Sequence, residues 1–305
     1  IIEKTGESAY GGFSIGDCIN TYDNCNFKDI TFAMIMASNE AGGIFRNHTV
    51  VNAKIGVIIY RNYQGTLDIQ NKCVFHTKKA GICIKGSSSL IRIDDCEFYP
   101  ENGVLFQLMD NDEQPNADGY YEDPLGEEDI PVEGRDITVA DPTEDVMLEI
   151  SNMTINHHIF NGSTNLFVNQ RCPQFEMPWQ PPEGPKHHGF GADLQGVKNL
   201  DVKLSNVVCN GLISASIAHH ESPLLTCANY YEIGVVKNKV KEPVNNGVIV
   251  HMDAKTTWTV PGECWITGLH LQEGAILKAP KGKRLSITVN GEETEILPGH
   301  YLGKI

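Results

Sequence analysis

Short apolar runs, four to six residues long, recur along the first third of the chain and are separated by Gly, Asn, Asp and Ser. One group reads GVIIY, GTLDIQ and CVFHT over residues 56–77, and the next reads GICIKG, SLIRID and CEFYP over residues 81–100. Runs of this size between turn residues predict β-strands, and no useful window has helical spacing. The groups are also periodic. Cys73-Val74-Phe75 and Cys96-Glu97-Phe98 lie 23 residues apart, and Cys25-Asn26-Phe27 lies 48 before the first, two turns of 24. The intervening turn falls at His48-Thr49-Val50. A second marker follows the same beat: Gly56-Val57-Ile58-Ile59, Gly81-Ile82-Cys83-Ile84 and Gly103-Val104-Leu105-Phe106 are spaced 25 and 22.

A fixed period in this range marks a stacked-repeat architecture. Three short strands per period predict an all-β fold, a single-stranded right-handed parallel β-helix in which like positions of successive coils stack in ladders. Phe75 and Phe98, and Cys73 and Cys96, are expected to be such buried ladders. The pattern returns in VMLEISNMTI (146–155), VKLSNVVCNGLISASI (202–217) and YEIGVVKN (231–238), read as further coils, with Asn152 and Asn206 as inward or turn asparagines that bond neighbouring backbone. Two stretches, about 110–145 and 160–195, break the pattern and are read as loop insertions. The second contains the Pro-rich run CPQFEMPWQPPEGPKHHGFG. From about 256 the chain turns to short alternating strands with tight turns at Asn290-Gly291 and Pro298-Gly299, as expected of last coils and a β cap. The whole, residues 1–305, reads as one domain.

Charge sharpens this picture at one place. The net charge is −15, and residues 110–145 carry −13 of it, with fourteen acids against Arg135 alone. Nucleic acid and anionic membrane surfaces are therefore poor partners. No apolar run is long enough to span a membrane. A start at Ile1, without Met or a legible signal peptide, reads as a mature or trimmed piece. None of the nine cysteines forms a CxxC pair, which argues against a zinc ribbon or a redox motif. Cys73, Cys83 and Cys96 sit in apolar strands, where packing explains them as free thiols.

The segments GGIFRNHTVVNAK, NGVLFQLMDND and TTWTVPGECWITGLHLQEGAILKAPKGKRLSITVNG resemble a group of secreted bacterial right-handed parallel β-helix repeat proteins, often called adhesin-like. That resemblance implies a secreted, cell-surface or periplasmic setting. It also implies a distant kinship of fold with pectin-lyase-like polysaccharide enzymes. It supplies no catalytic residues.

Candidate chemistry gathers in the insertions. Asp110, Asn111, Asp112 and Asp118 offer hard oxygen ligands for calcium, against the alternative of a solvated acidic loop. Tyr120, Tyr121, Trp179 and Phe190 are platforms for sugar rings or pins for their own loops. The doublets His157-His158, His187-His188 and His219-His220 read as exposed turn residues, with zinc as the rival. Acid–base chemistry on a uronate or a glycosidic bond has candidates in Asp110, Asp112, His187, His188, Asp193, Arg46 and Arg171. Two functions follow: a surface protein binding a polysaccharide or surface glycan through a groove walled by the insertions, and a polysaccharide lyase or hydrolase. They separate on whether two or three titratable groups converge in one cleft beside an exposed aromatic.

Overall fold

The computed structural model describes residues 1–3, 9–37, 40–60, 63–109, 145–162, 198–221, 232, 234–243 and 247–305. Among them the protein is all-β, with mostly parallel strands and no α-helix. Among the described residues no helix is long and apolar enough to cross a membrane.

Three parallel sheets are threaded by the chain in turn. The first takes Asn26–Ala37, Val50–Tyr60, Ile82–Lys85, Val104–Met109, His158–Asn161 and Ile213–His220, each paired to the next. The second takes Ile19–Asp23, Gly42–Arg46, Tyr63–Gln70, Ser88–Asp94, Val146–Ser151, Leu200–Ser205, Val248–Met252 and Gly268–Leu271. The third, narrower, takes Thr154–Ile155, Val208–Cys209, Thr257–Thr259 and Ile276–Lys278. A strand thus pairs with the strand one period away, and a single cluster of buried side chains runs from Tyr22 to Ile305.

The second sheet shows why these sequences make strands. VMLEIS and VIVHM alternate buried and half-buried residues, so one face is core and the other meets water. The first sheet differs. ICIK and VLFQLM are buried at every position. Its outer face forms a second apolar cluster of Ile55, Ile58, Cys83, Val104 and Phe160, covered by Val235 and Val236. Two ion pairs flank this cover, Lys54–Glu232 and Lys79–Glu221, both at 2.7 Å. The run 231–238 is therefore not a further coil. Val236–Val240 lies antiparallel against Ile213–His220 at the sheet edge.

The ladders form. Phe75 pairs with Phe98, both rings are buried, and they stack at 4.8 Å and 14°. Cys73 and Cys96 are buried one rung before them, with Glu97 N–H donating to Cys73 O, and both are free thiols, as is Cys83. Two registers shift. Asn26 pairs with Val50 and Phe27 with Val51, so Thr49, not His48, occupies the Cys column. Cys25 N–H donates to Thr49 Oγ1 at 3.1 Å. A slip of one residue would turn buried Val51 outward. Val57 pairs with Ile82 and Ile82 with Phe106, so Leu105, not Gly103, follows Gly81 in the glycine column.

The first six second-sheet strands end in a left-handed corner, at Asn24, Asn47, Asn71, Asp95, Asn152 and Asn206, with φ between 50° and 60°. Asn and Asp tolerate this region better than other residues with a Cβ. Their side chains link successive corners: Asn71 donates to Asn47 at 3.3 Å, Asn47 to Asp23 at 2.9 Å, and Asn206 to Asn152 at 2.9 Å. Asn152 and Asn206 are thus turn residues, bonded by their side chains to neighbouring side chains. At the C-terminus, Gly299–Leu302 runs antiparallel against Gly268–Leu271, and the hairpin Ile287–Val289/Glu292–Thr294 turns at Asn290-Gly291.

Candidate functional site: a groove at a break in the wall

The strand Glu97–Pro100 pairs with Val74–Thr77 on one side, while Thr154–Ile155 pairs only with Val208–Cys209. The two strands belong to different sheets, so the wall is broken between them. The corner before the break is intact, because Asp95 N–H still donates to Ser151 O at 3.1 Å. Pro100 closes the first strand and has no N–H to offer a further ladder.

The cleft at the break has a volume of about 620 Å³. Its walls include Lys72, Asp95, Glu97, Tyr99, Asn152, Asn156, His157 and Asn206. The strand alternation sets its chemistry. Cys96 and Phe98 point into the core, so Glu97 and Tyr99 share the outer face, burial running exposed–buried–exposed. Tyr99 is 48% exposed and stacks on His76 of the paired strand at 5.0 Å and 12°. Its hydroxyl donates to the Glu97 carboxylate, and that charge-assisted bond pushes the phenol up from its ordinary value. Lys72 Nζ sits 2.5 Å from Asp95 Oδ1, which raises the ammonium. His157 is pulled below an ordinary imidazole by burial, against an opposing hydrogen bond to the Phe98 main chain. Asn210 donates to Asn156 at 2.9 Å, extending the amide row of the corner onto the third sheet.

An aromatic face beside carboxylates and amides suits a ligand with an apolar face and a hydroxylated rim. Two carboxylates and a histidine gather here beside an exposed tyrosine. Both carboxylates are engaged, Asp95 with Lys72 and Glu97 with Tyr99. They serve better as fixed acceptors than as a mobile acid and base.

The candidates from sequence are placed unevenly. Arg46 ends a second-sheet strand and pairs with Asp23 Oδ2 at 2.8 Å, outside the groove lining. Asp110, Asn111, Asp112, Asp118, Tyr120, Tyr121, Arg171, Trp179, His187, His188, Phe190 and Asp193 lie outside the described residues. Glu97 and Tyr99 were legible only as strand residues of CEFYP, although the Cys–Phe ladder already implies that the residues between and after them face outward. Among the described residues, no three His, Cys, Asp or Glu side chains are set around one point as a metal cage.

Fold and groove define an all-β protein of parallel sheets with a polar, aromatic-floored cleft. In comparisons with family models, curated proteins and solved structures, nothing matches the chain.

Proposed function

We propose that the three sheets are the walls of a right-handed parallel β-helix, and that the protein is a secreted or cell-surface glycan-binding protein whose groove at the wall break holds a polysaccharide chain. Support for the helix comes from the parallel pairing of strands one period apart along all three sheets and from the ladders that result. The observation that carries the binding reading is the Tyr99 ring, backed by the stacked His76, set among Glu97, Asp95, Asn152 and Asn156. A pyranose offers C–H groups to an aromatic face and hydroxyls to carboxylate and amide acceptors. The resemblance to adhesin-like repeat proteins agrees with such a role.

The test is affinity electrophoresis through gels containing neutral, uronate-rich and aminosugar polysaccharides, with parallel assays of reducing ends and of unsaturated uronates. Retardation by at least one polysaccharide, without new chain ends, is expected. Chain cleavage instead would transfer the groove to a lyase or hydrolase and overturn the binding role.

A further inference from the structure

One row on the outer face of the second sheet changes character along its length. Asp68, Arg92, Glu149 and Lys203 stand opposite one another on successive strands. Arg92 pairs with Asp68 at 3.2 Å and Lys203 with Glu149 at 3.1 Å. The row then continues as His251, His270 and His300, and His300 belongs to the antiparallel cap strand. Three imidazoles in register on adjacent strands border a cavity of about 420 Å³, with Lys203 and Gln272 also in its lining.

The rings are arranged unequally. His251 and His270 are parallel, 4.3 Å apart. His270 and His300 meet at 66°, with their Nδ1 atoms turned onto each other. Behind the row, His251 Nε2 lies 3.1 Å from Asp201 Oδ1, shielded from water. The distance is that of an ion pair, yet neither atom has an aligned hydrogen-bond partner.

We propose that His270 and His300, with His251 as third ligand, bind a borderline divalent transition-metal ion, of which zinc is the probe, across the join between the cap strand and the body of the protein. Imidazole nitrogen suits zinc, copper and nickel. Two nitrogens aimed at one point share one proton when no ion is present, and an ion takes both lone pairs. Asp201 occupies the place of the carboxylate that commonly holds a ligating histidine from behind. With Nε2 turned to Asp201, His251 keeps Nδ1 for the ion. The ring of His251 lies parallel on His270, so it must tilt out of the stack, pivoting on its Nε2–Asp201 contact, to deliver Nδ1, and no finished cage is present. Lys203 is drawn off to Glu149, and its charge is thereby neutralised on the far side.

The experiment is zinc titration at pH 7.5 against a chromophoric chelator, on the parent and on His270→Ala, His300→Ala and Asp201→Asn, with circular dichroism to confirm folding. One tight equivalent is expected in the parent. It should be lost in both histidine variants and weakened about 10–100-fold in Asp201→Asn. Zinc should also raise the parent's melting temperature, and chelator should reverse the rise. Absence of the equivalent from the parent, or its survival in folded His270→Ala and His300→Ala, would overturn the proposal.

Discussion

Replacing Phe75 by Ala tests the ladder that the fold rests on. The ring is fully buried, stacked on Phe98 at 4.8 Å and edge-on to Phe45 at 5.4 Å and 67°. Its neighbours cannot readily close the gap, because each is itself held by a strand pairing one period away. A buried Phe→Ala change costs about 3–5 kcal/mol through lost transfer energy and the cavity left behind. Lost ring pairs, worth about 0.5–1.5 kcal/mol each, place Phe75→Ala in the upper half of that range. Against a typical total stability of about 5–15 kcal/mol, the variant folds but unfolds at much lower denaturant. Urea unfolding followed by circular dichroism measures this. Tyr99→Ala, an outward, 48% exposed residue on the strand paired with that of Phe75, is the control and should cost under about 1 kcal/mol in stability. A Phe75→Ala cost below about 1.5 kcal/mol, or one no larger than that of Tyr99→Ala, would refute the inward assignment of the column.

Other expectations follow from the same structure. After denaturing alkylation, peptides containing Cys73, Cys83 and Cys96 should carry label with or without prior reduction, and a bridge joining any of them contradicts the packing account. His157, His158 and His270 are all held below an ordinary imidazole, each first by burial, and His158 Nδ1 also accepts the Leu212 N–H at 3.0 Å. Because the unfolded chain then takes up protons before the folded one, stability should fall as pH drops through about 6.5, and His158→Gln should flatten melts recorded between pH 7.5 and 5.5. If the acids of residues 110–145 hold calcium, millimolar calcium at fixed ionic strength should raise the melting temperature, and the Asp110→Ala, Asp112→Ala variant should lose the rise; equal melts in chelator and calcium leave a solvated acidic segment.

The repeat was legible because side-chain alternation and parallel strand pairing act together: Cys73 and Phe75 face inward, so their counterparts one period on must as well. The registers were less legible where no bulky marker constrains them. Thr49 takes the Cys column by bonding Cys25 N–H and the Arg46 carbonyl, a role that its polarity hides from a search for apolar runs. Gly103 was mistaken for the third column glycine because a slip of two residues keeps every side chain on its own face. The antiparallel edge strand Val236–Val240 carries the same alternation as a coil strand, and local pattern does not encode strand direction. Function was harder still. Glu97, Tyr99 and His157 are 60 residues apart at their extremes and meet only because the wall breaks between them. His251, His270 and His300 stand singly in sequence, and only the pairing of their strands sets them in one row.

The central claim is that the groove floored by Tyr99 binds a glycan, and calorimetric titration tests it most directly, with the polysaccharide that retards the protein titrated into the parent and into Tyr99→Ala. Truncating a central aromatic contact costs about 1.4 kcal/mol of binding or more, a tenfold change in Kd. The account predicts saturable binding by the parent and a Kd about tenfold weaker or more in a folded Tyr99→Ala. Equal affinities in the two proteins would contradict it.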